Sequence, residues 1–257
     1  RDGNENAVCR PRVIVVRSVL RSIALPLLLR ATWAQAGGQA PSDMTDRVLP
    51  CTACHGKEGR ATPDGYFPRI AGKPVGYLYN QLRNFHEGRR SYPQMAHLLT
   101  YLTDDYLYEM AAWFSALRLP YAAPPPSVVS PRMLREGEAL VRHGDTARKI
   151  PACVQCHGEQ LTGAAPFIPS LLGLSHDYLG SQLGAWRTGQ RHAQAPDCMA
   201  DIARRLSLEQ VQAVISWLSA QPVPGDGRAQ ERTPDKLPLD CGSLDAKLPQ
   251  PPTGSAR

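Results

Sequence analysis

The sequence predicts an all-α protein of two tandem helical domains. Three observations carry that expectation. Apolar residues recur at i, i+3, i+4 and i+7 in several segments, and no segment alternates as a half-buried strand would. Cys-x-x-Cys-His occurs twice, each time followed by matching residues in the same order and at nearly the same spacing. Prolines gather between the two copies and after the second.

The elements follow in order. Arg10, Arg12, Arg17 and Arg21 precede an apolar run from Ser22 to Leu29, and Ala34-Gln35-Ala36 supplies a small-x-small site. Residues 1–36 therefore read as a secretory signal peptide cleaved after Ala36, with a disordered basic leader as the alternative. The run is shorter than the ~20 apolar residues of a spanning helix, so no transmembrane span is expected. The chain opens on Arg1 and its first methionine is Met44, so the initiator is expected upstream. Export places the protein in the periplasm.

The first domain is expected over 37–120, with helices at 76–87 and 103–117. The second of these aligns Tyr106, Leu107, Met110, Trp113, Phe114 and Leu117. Pro120, Pro124, Pro125, Pro126 and Pro131 make 121–131 a stiff linker. The second domain is expected over 132–221, with helices at 132–143 and 207–220. Ser207 and Gln210 suit a capping box. Residues 222–257 form a proline-rich tail.

The repeat runs beyond the cysteines. Pro68 and Gly72 match Pro169 and Gly173. Tyr77, Gln81, Leu82, Gly88 and Arg90 match Tyr178, Gln182, Leu183, Gly189 and Arg191, all offset by 101. Met95 and Trp113 match Met199 and Trp217 at an offset of 104.

Charge is unevenly placed. The formal net charge is +6, of which residues 1–36 supply six Arg against two acids. The body is nearly neutral, which removes the support for nucleic-acid binding. Aromatic residues are 7% of the chain, thin for two cores, so another apolar element is expected inside them.

Cys51-Thr52-Ala53-Cys54-His55 and Cys153-Val154-Gln155-Cys156-His157 have the c-type haem attachment pattern. Two thiols at this spacing add to the two haem vinyls, and the adjoining histidine becomes the proximal iron ligand. Structural zinc sites usually separate their Cys pairs by roughly 15–20 residues; here 98 residues intervene. A thioredoxin-like motif needs a βαβ setting that this sequence lacks. The cofactors expected are two covalently bound haem c groups, through Cys51, Cys54, Cys153 and Cys156.

The sixth ligand is expected to be a thioether, which raises the iron potential and closes the site to substrate. Met95 lies 40 residues after His55 and Met199 lies 42 after His157, each just before the last helix of its repeat. Core packing is the commoner role of methionine, but the repetition favours ligation. Expected metal ligands are thus His55, Met95, His157 and Met199. His97 and His192 are runners-up, with exposed histidine as their ordinary state. The carbonyls of Pro68 and Pro169 are candidates to fix the proximal rings, with a plain turn as the alternative. Tyr77, Tyr178, Trp113 and Trp217 line haem pockets or pack between helices, packing being favoured for the tryptophans. Arg90 and Arg191 pair with haem propionates or stand exposed.

On these residues the chain resembles the dihaem cytochromes of the cytochrome c4 family, built from two class I cytochrome c domains. The resemblance covers about 41 to 221. It rests on Cys51-x-x-Cys54-His55, Phe67-Pro68-Arg69-Ile70-Ala71-Gly72, Tyr77-x-x-x-Gln81-Leu82, Gly88-Arg89-Arg90 and Met95, with Cys153-x-x-Cys156-His157 and Met199 in the second copy. It implies two class I folds, each wrapped around a covalent haem c, and periplasmic electron transfer with the haems facing each other across the domain interface. Three departures stand out: few residues between Ala36 and Cys51, Gly189-Gln190-Arg191 in place of a Gly-Arg-Arg run, and a longer tail.

A soluble carrier of single electrons between redox partners is the leading reading, with a dehydrogenase or terminal oxidase among those partners. His/Met ligation on both irons leaves no position for substrate, so no enzyme activity is expected. The alternative is an electron-accepting subunit of a periplasmic dehydrogenase, with the tail wrapped around its partner. A dihaem enzyme, such as a peroxidase or a sulfur-compound dehydrogenase, would need one iron to lose or exchange its sixth ligand. Haem attachment and leader cleavage leave Cys198 and Cys241, which are expected to form a disulfide folding the tail over the second haem. Two separate thiols are the alternative, and Cys198 could displace Met199 on the iron.

Overall fold

The computed structural model describes residues 43–249. The signal peptide expected over 1–36, with Cys9, and the end of the tail lie outside the described residues. The described chain is helical, with no β-strand beyond isolated bridges.

The first repeat contains α1 (Met44–Arg47), α2 (Leu49–His55), α3 (Val75–His86), α4 (Pro93–Leu99) and α5 (Asp104–Ala116). The Asp43 side chain caps α1 by accepting from Thr45 N. Pro50 and Pro93 start α2 and α4, where a missing N–H costs nothing. Thr103 caps α5, accepting from Tyr106 N at 3.3 Å. Val48, Leu78, Tyr79, Leu99, Leu107, Met110 and Phe114 form the core.

The second repeat contains α6 (Pro131–His143), α7 (Val154–His157), α8 (His176–Thr188), α9 (Cys198–Arg205) and α10 (Leu208–Ser219). Ser130, Ser175, Asp197 and Ser207 cap four of them, and Ser207 with Gln210 closes the expected capping box. Its core is mainly aliphatic: Val141, Ile150, Leu161, Leu172, Leu179, Leu206, Val214, Ile215 and Leu218, with Trp217. Helix α6 lies directly on α10. A Cβ on Gly137 would stand 2.1 Å from the Ala213 carbonyl oxygen, so only glycine permits this approach.

The linker is pinned. Buried Arg69 donates to the carbonyls of Leu119 and Pro120, and its guanidinium lies 3.9 Å over the Tyr121 ring.

The tail binds both repeats. Gln230 N donates to Gly163 O, and Ala165 N to Gln230 O. Cys241 is disulfide-bonded to Cys198, with Cα atoms 5.2 Å apart. Asn80 Nδ2, on α3 of the first repeat, then donates to Ser243 O at 2.8 Å, and Leu248 packs on the first core. The disulfide forms as expected, but the tail runs on past the second repeat. Apolar Leu248 takes it to the first core, where it gains burial. Its described part, as far as Leu248, is strapped to its own chain.

Candidate haem sites and the interface between them

Helices α2 and α7 carry the two attachment sequences and end on their histidines. Gly56 (φ +75°) and Gly158 (φ +82°) stop them, in a conformation that favours glycine. His55 and His157 are buried. Each ring is held the same way: His55 Nδ1 donates to Pro68 O and His157 Nδ1 to Pro169 O, both at 2.8 Å. That bond fixes the tautomer and leaves Nε2 with its lone pair, the form a metal takes. Among the described residues Nε2 has no hydrogen-bond partner on either ring. Burial is the first cause of the lowered pKa of both, with Arg90 adding its charge at His55 and Lys73 at His157.

None of the four cysteines of these motifs is in a disulfide. Burial pushes the Cys51 thiol up to about 11 and the Cys153 thiol up to about 12. No group of three or more His, Cys, Asp or Glu among the described residues is arranged to hold a metal, as a zinc site would need.

Met95 lies in α4, against the first core, and Met199 lies in α9, directly after the disulfide-bonded Cys198. His97 and His192 are exposed. Trp113 and Trp217 pack with the cores, Trp113 edge-on to Phe114 and Trp217 buried.

The arginines matched by the repeat meet across the interface, an arrangement the sequence did not reveal. Arg90 and Arg191 pair as an antiparallel bridge, with Ser91 N donating to Gln190 O and His192 N to Arg89 O. Arg90 donates to Gln81 Oε1 (2.9 Å) and Gln182 Oε1 (2.7 Å). Arg191 donates to the same two atoms at 3.0 and 2.7 Å. Each guanidinium covers an aromatic ring, Arg90 that of Phe85 and Arg191 that of Trp186. The shared offset of 101 was the available signal, because residues equivalent under a repeat can meet at its pseudo-twofold axis.

This cluster places two cations beside each other with neutral partners. Burial first, and then Arg191, pull Arg90 down to about 10. Burial raises the Tyr77 pKa, and the facing Tyr178 adds to the rise. The indole Nε1 of Trp186 is buried without a hydrogen-bond acceptor. Paired cations without carboxylates and an orphaned donor suit a group that brings its own carboxylates. Haem, with two propionates, is such a group, and the thiol-and-imidazole donor set of each motif fits its attachment.

The comparisons with known proteins agree. The cytochrome c family model matches residues 136–221. The thiosulfate dehydrogenase electron acceptor of Thiomonas intermedia (strain K12) is 36% identical over 193 residues, covering 75% of this chain and 84% of that protein. Cytochrome c4 of Pseudomonas aeruginosa is 33% identical over 203 residues, 78% of this chain and 95% of that protein. The crystal structure of reduced cytochrome c4 from Pseudomonas stutzeri superposes with a TM-score of 0.59 at 30% identity, covering 68% of this chain and 95% of that one. With two attachment sequences on one repeated helical frame and these likenesses along nearly a whole cytochrome c4, the chain belongs to the dihaem cytochrome c4 family, electron-transfer proteins of all-α fold with two covalently bound haem c groups.

Proposed function

We propose that this protein carries single electrons between periplasmic redox partners through two His/Met-ligated haems. The observation that carries this reading is the identical setting of His55 and His157, each buried with Nδ1 held by a proline carbonyl at 2.8 Å. Bound haem supplies a one-electron iron couple. The residues of the chain do the rest. Cys51 and Cys54, and Cys153 and Cys156, form the thioether links. His55 and His157 present Nε2, oriented by Pro68 and Pro169. Met95 and Met199 would supply the second protein ligand of each iron, and their thioethers would favour the reduced state. Arg90, Arg191 and Trp186 offer donors to the propionates. The domains are 37–120 and 132–221, joined by 121–131 and followed by the tail at 222–257. Residues 1–36 direct export; no described helix is long and apolar enough to cross a membrane.

Replacing Met95 or Met199 by a non-ligating residue should remove about half of the weak thioether–iron charge-transfer band of the oxidised holoprotein and lower one potential. An unchanged spectrum in both variants would overturn the ligand set.

A second reading, electron acceptor of a thiosulfate-oxidising dehydrogenase, is favoured by the relative of that name at 36% identity. Rapid reduction of the holoprotein by such an enzyme plus thiosulfate, or its co-purification at high salt, would select this reading. Reduction no faster than that of an unrelated cytochrome would select the general carrier.

A further inference from the structure

Lys73 is a charged side chain buried where burial is costly. It is 3% exposed and sits in the loop before α3 of the first repeat. Its Nζ donates to Ser170 O of the second repeat at 3.3 Å. Ser170 directly follows Pro169, whose carbonyl holds His157. The ammonium therefore stands one residue from the carbonyl that fixes the proximal ring of the other repeat. None of its partners among the described residues is a carboxylate. Burial first, and then the charge of Arg69, pull its pKa down to about 7. In turn its charge helps to lower the pKa of His157.

The repeat makes this placement one-sided. The residue matched to Lys73 at the offset of 101 is Leu174, which packs on the second core. The second repeat thus returns no charge from that position toward His55. Arg90 does act on His55, but Arg90 has its match in Arg191 within the shared cluster. Lys73 has no such match.

We propose that Lys73 is a charge lent by the first repeat to the second, which raises the reduction potential of the second haem and so sets the direction of electron flow inside the protein. Reduction adds one electron at the iron, and a fixed positive charge in a poorly screened interior stabilises the more negative product. The effect is felt most by the iron bound at His157. Lys73 is a positioning residue, acting through its field. The inference rests on the haem ligation proposed above.

The test is a redox titration of the two-haem protein at pH 6, below the pKa of the ammonium, in a Met95→His background. There the remaining thioether–iron band reports the second haem alone. Lys73→Met removes the ammonium and keeps the shape of the stem; Lys73→Arg restores a cation. At a poise that half-reduces the second haem of the parent, Lys73→Met should lower its reduced-to-oxidised ratio about tenfold, and Lys73→Arg should hold it within about threefold. An unchanged ratio in Lys73→Met overturns the proposal. So does an equal loss in both variants, which would mean packing and not charge. Should Lys73→Met fail to bind two haems, Lys73→Gln gives the same comparison. If Met95→His alone leaves the band whole, the ligand reading has failed. The two potentials resolved in the single Lys73 variants then judge the charge separately.

Discussion

The two repeats hold their histidines alike and build the surroundings differently. In each, a short helix ends on a buried histidine bound to a proline carbonyl. Around that, the first repeat is aromatic, with Tyr77, Tyr79, Phe85, Tyr106, Tyr108, Trp113 and Phe114, while the second is mainly aliphatic. The second repeat lays a 13-residue helix, α6, on α10. Among the described residues, the first has only the four residues of α1 before α2, tied to α5 by Arg47, which bonds Glu109 at 2.8 Å and covers Tyr106 at 4.0 Å. It also borrows from outside itself. Leu248 of the tail joins its core, Tyr77 N donates to Pro166 O, and Phe167 lies against Gly76. A repeated site needs its ligand geometry repeated; the packing behind it is free to diverge.

The largest expected effect breaks the symmetry of the site. Replacing Cys153 and Cys156 together by serine should leave one haem and open the second repeat to protease. The first should become labile too, because the 164–170 loop supports the start of α3. Replacing Cys51 and Cys54 by serine should also leave one haem, but with a protease-resistant second repeat. Mass spectrometry of the fragments separates these outcomes, and equal fragmentation of both variants would remove the claimed asymmetry.

A smaller effect is confined to the second repeat. Gly137→Ala places a methyl group 2.1 Å from the Ala213 carbonyl oxygen and 2.8 Å from Trp217 Cβ, so α6 must move off α10. The overpacking should cost about 2–3 kcal/mol despite the better helix propensity of alanine. Differential scanning calorimetry should show the second repeat melting earlier while the first moves little.

How much of this was legible depends on what each feature needs. Helices expected at 76–87, 103–117, 132–143 and 207–220 appear at Val75–His86, Asp104–Ala116, Pro131–His143 and Leu208–Ser219, because long amphipathic periods record their buried face. The short helices α2 and α7 were not legible. Cys51 to His55 is too brief for a period, and the ends are set by Pro50 and by the glycine after the histidine. The proline carbonyls could be named in advance because both copies kept a proline at nearly the same distance, 13 residues after His55 and 12 after His157. The crossed Arg90–Arg191 pair could not, since a sequence repeat does not say how the copies face. Lys73 carried no signal either: a lysine in a loop reads as exposed until Ser170 closes over it. The disulfide followed from counting cysteines, but the path of the tail back to Asn80 depends on contacts too distant in sequence to foresee.

The smallest expected effect sharpens the comparison from the side of the first repeat. Tyr79 is 1% exposed, and its hydroxyl donates to the Asp104 carboxylate at the start of α5, tying α3 to that helix. The matched position in the second repeat is Gly180, which has no hydroxyl to ionise. Burial and then the Asp104 carboxylate push the Tyr79 pKa up to about 12, because a phenolate there would be desolvated and would face a like charge. An unfolded tyrosine titrates near ~10. The folded state thus holds this proton more tightly, and its contribution is fully present below pH 10. Stability is lost as pH rises from there through 12. Tyr79→Phe should cost about 1 kcal/mol at pH 8 by removing the hydrogen bond. Across pH 10 to 12 it should also make the decline of first-repeat stability less steep. Denaturant unfolding of both proteins at pH 8, 10 and 11, followed by hydrogen exchange in each repeat, reads the two slopes. If parent and variant lose first-repeat stability equally over that range, the proton on Tyr79 is not what distinguishes the two halves in alkali.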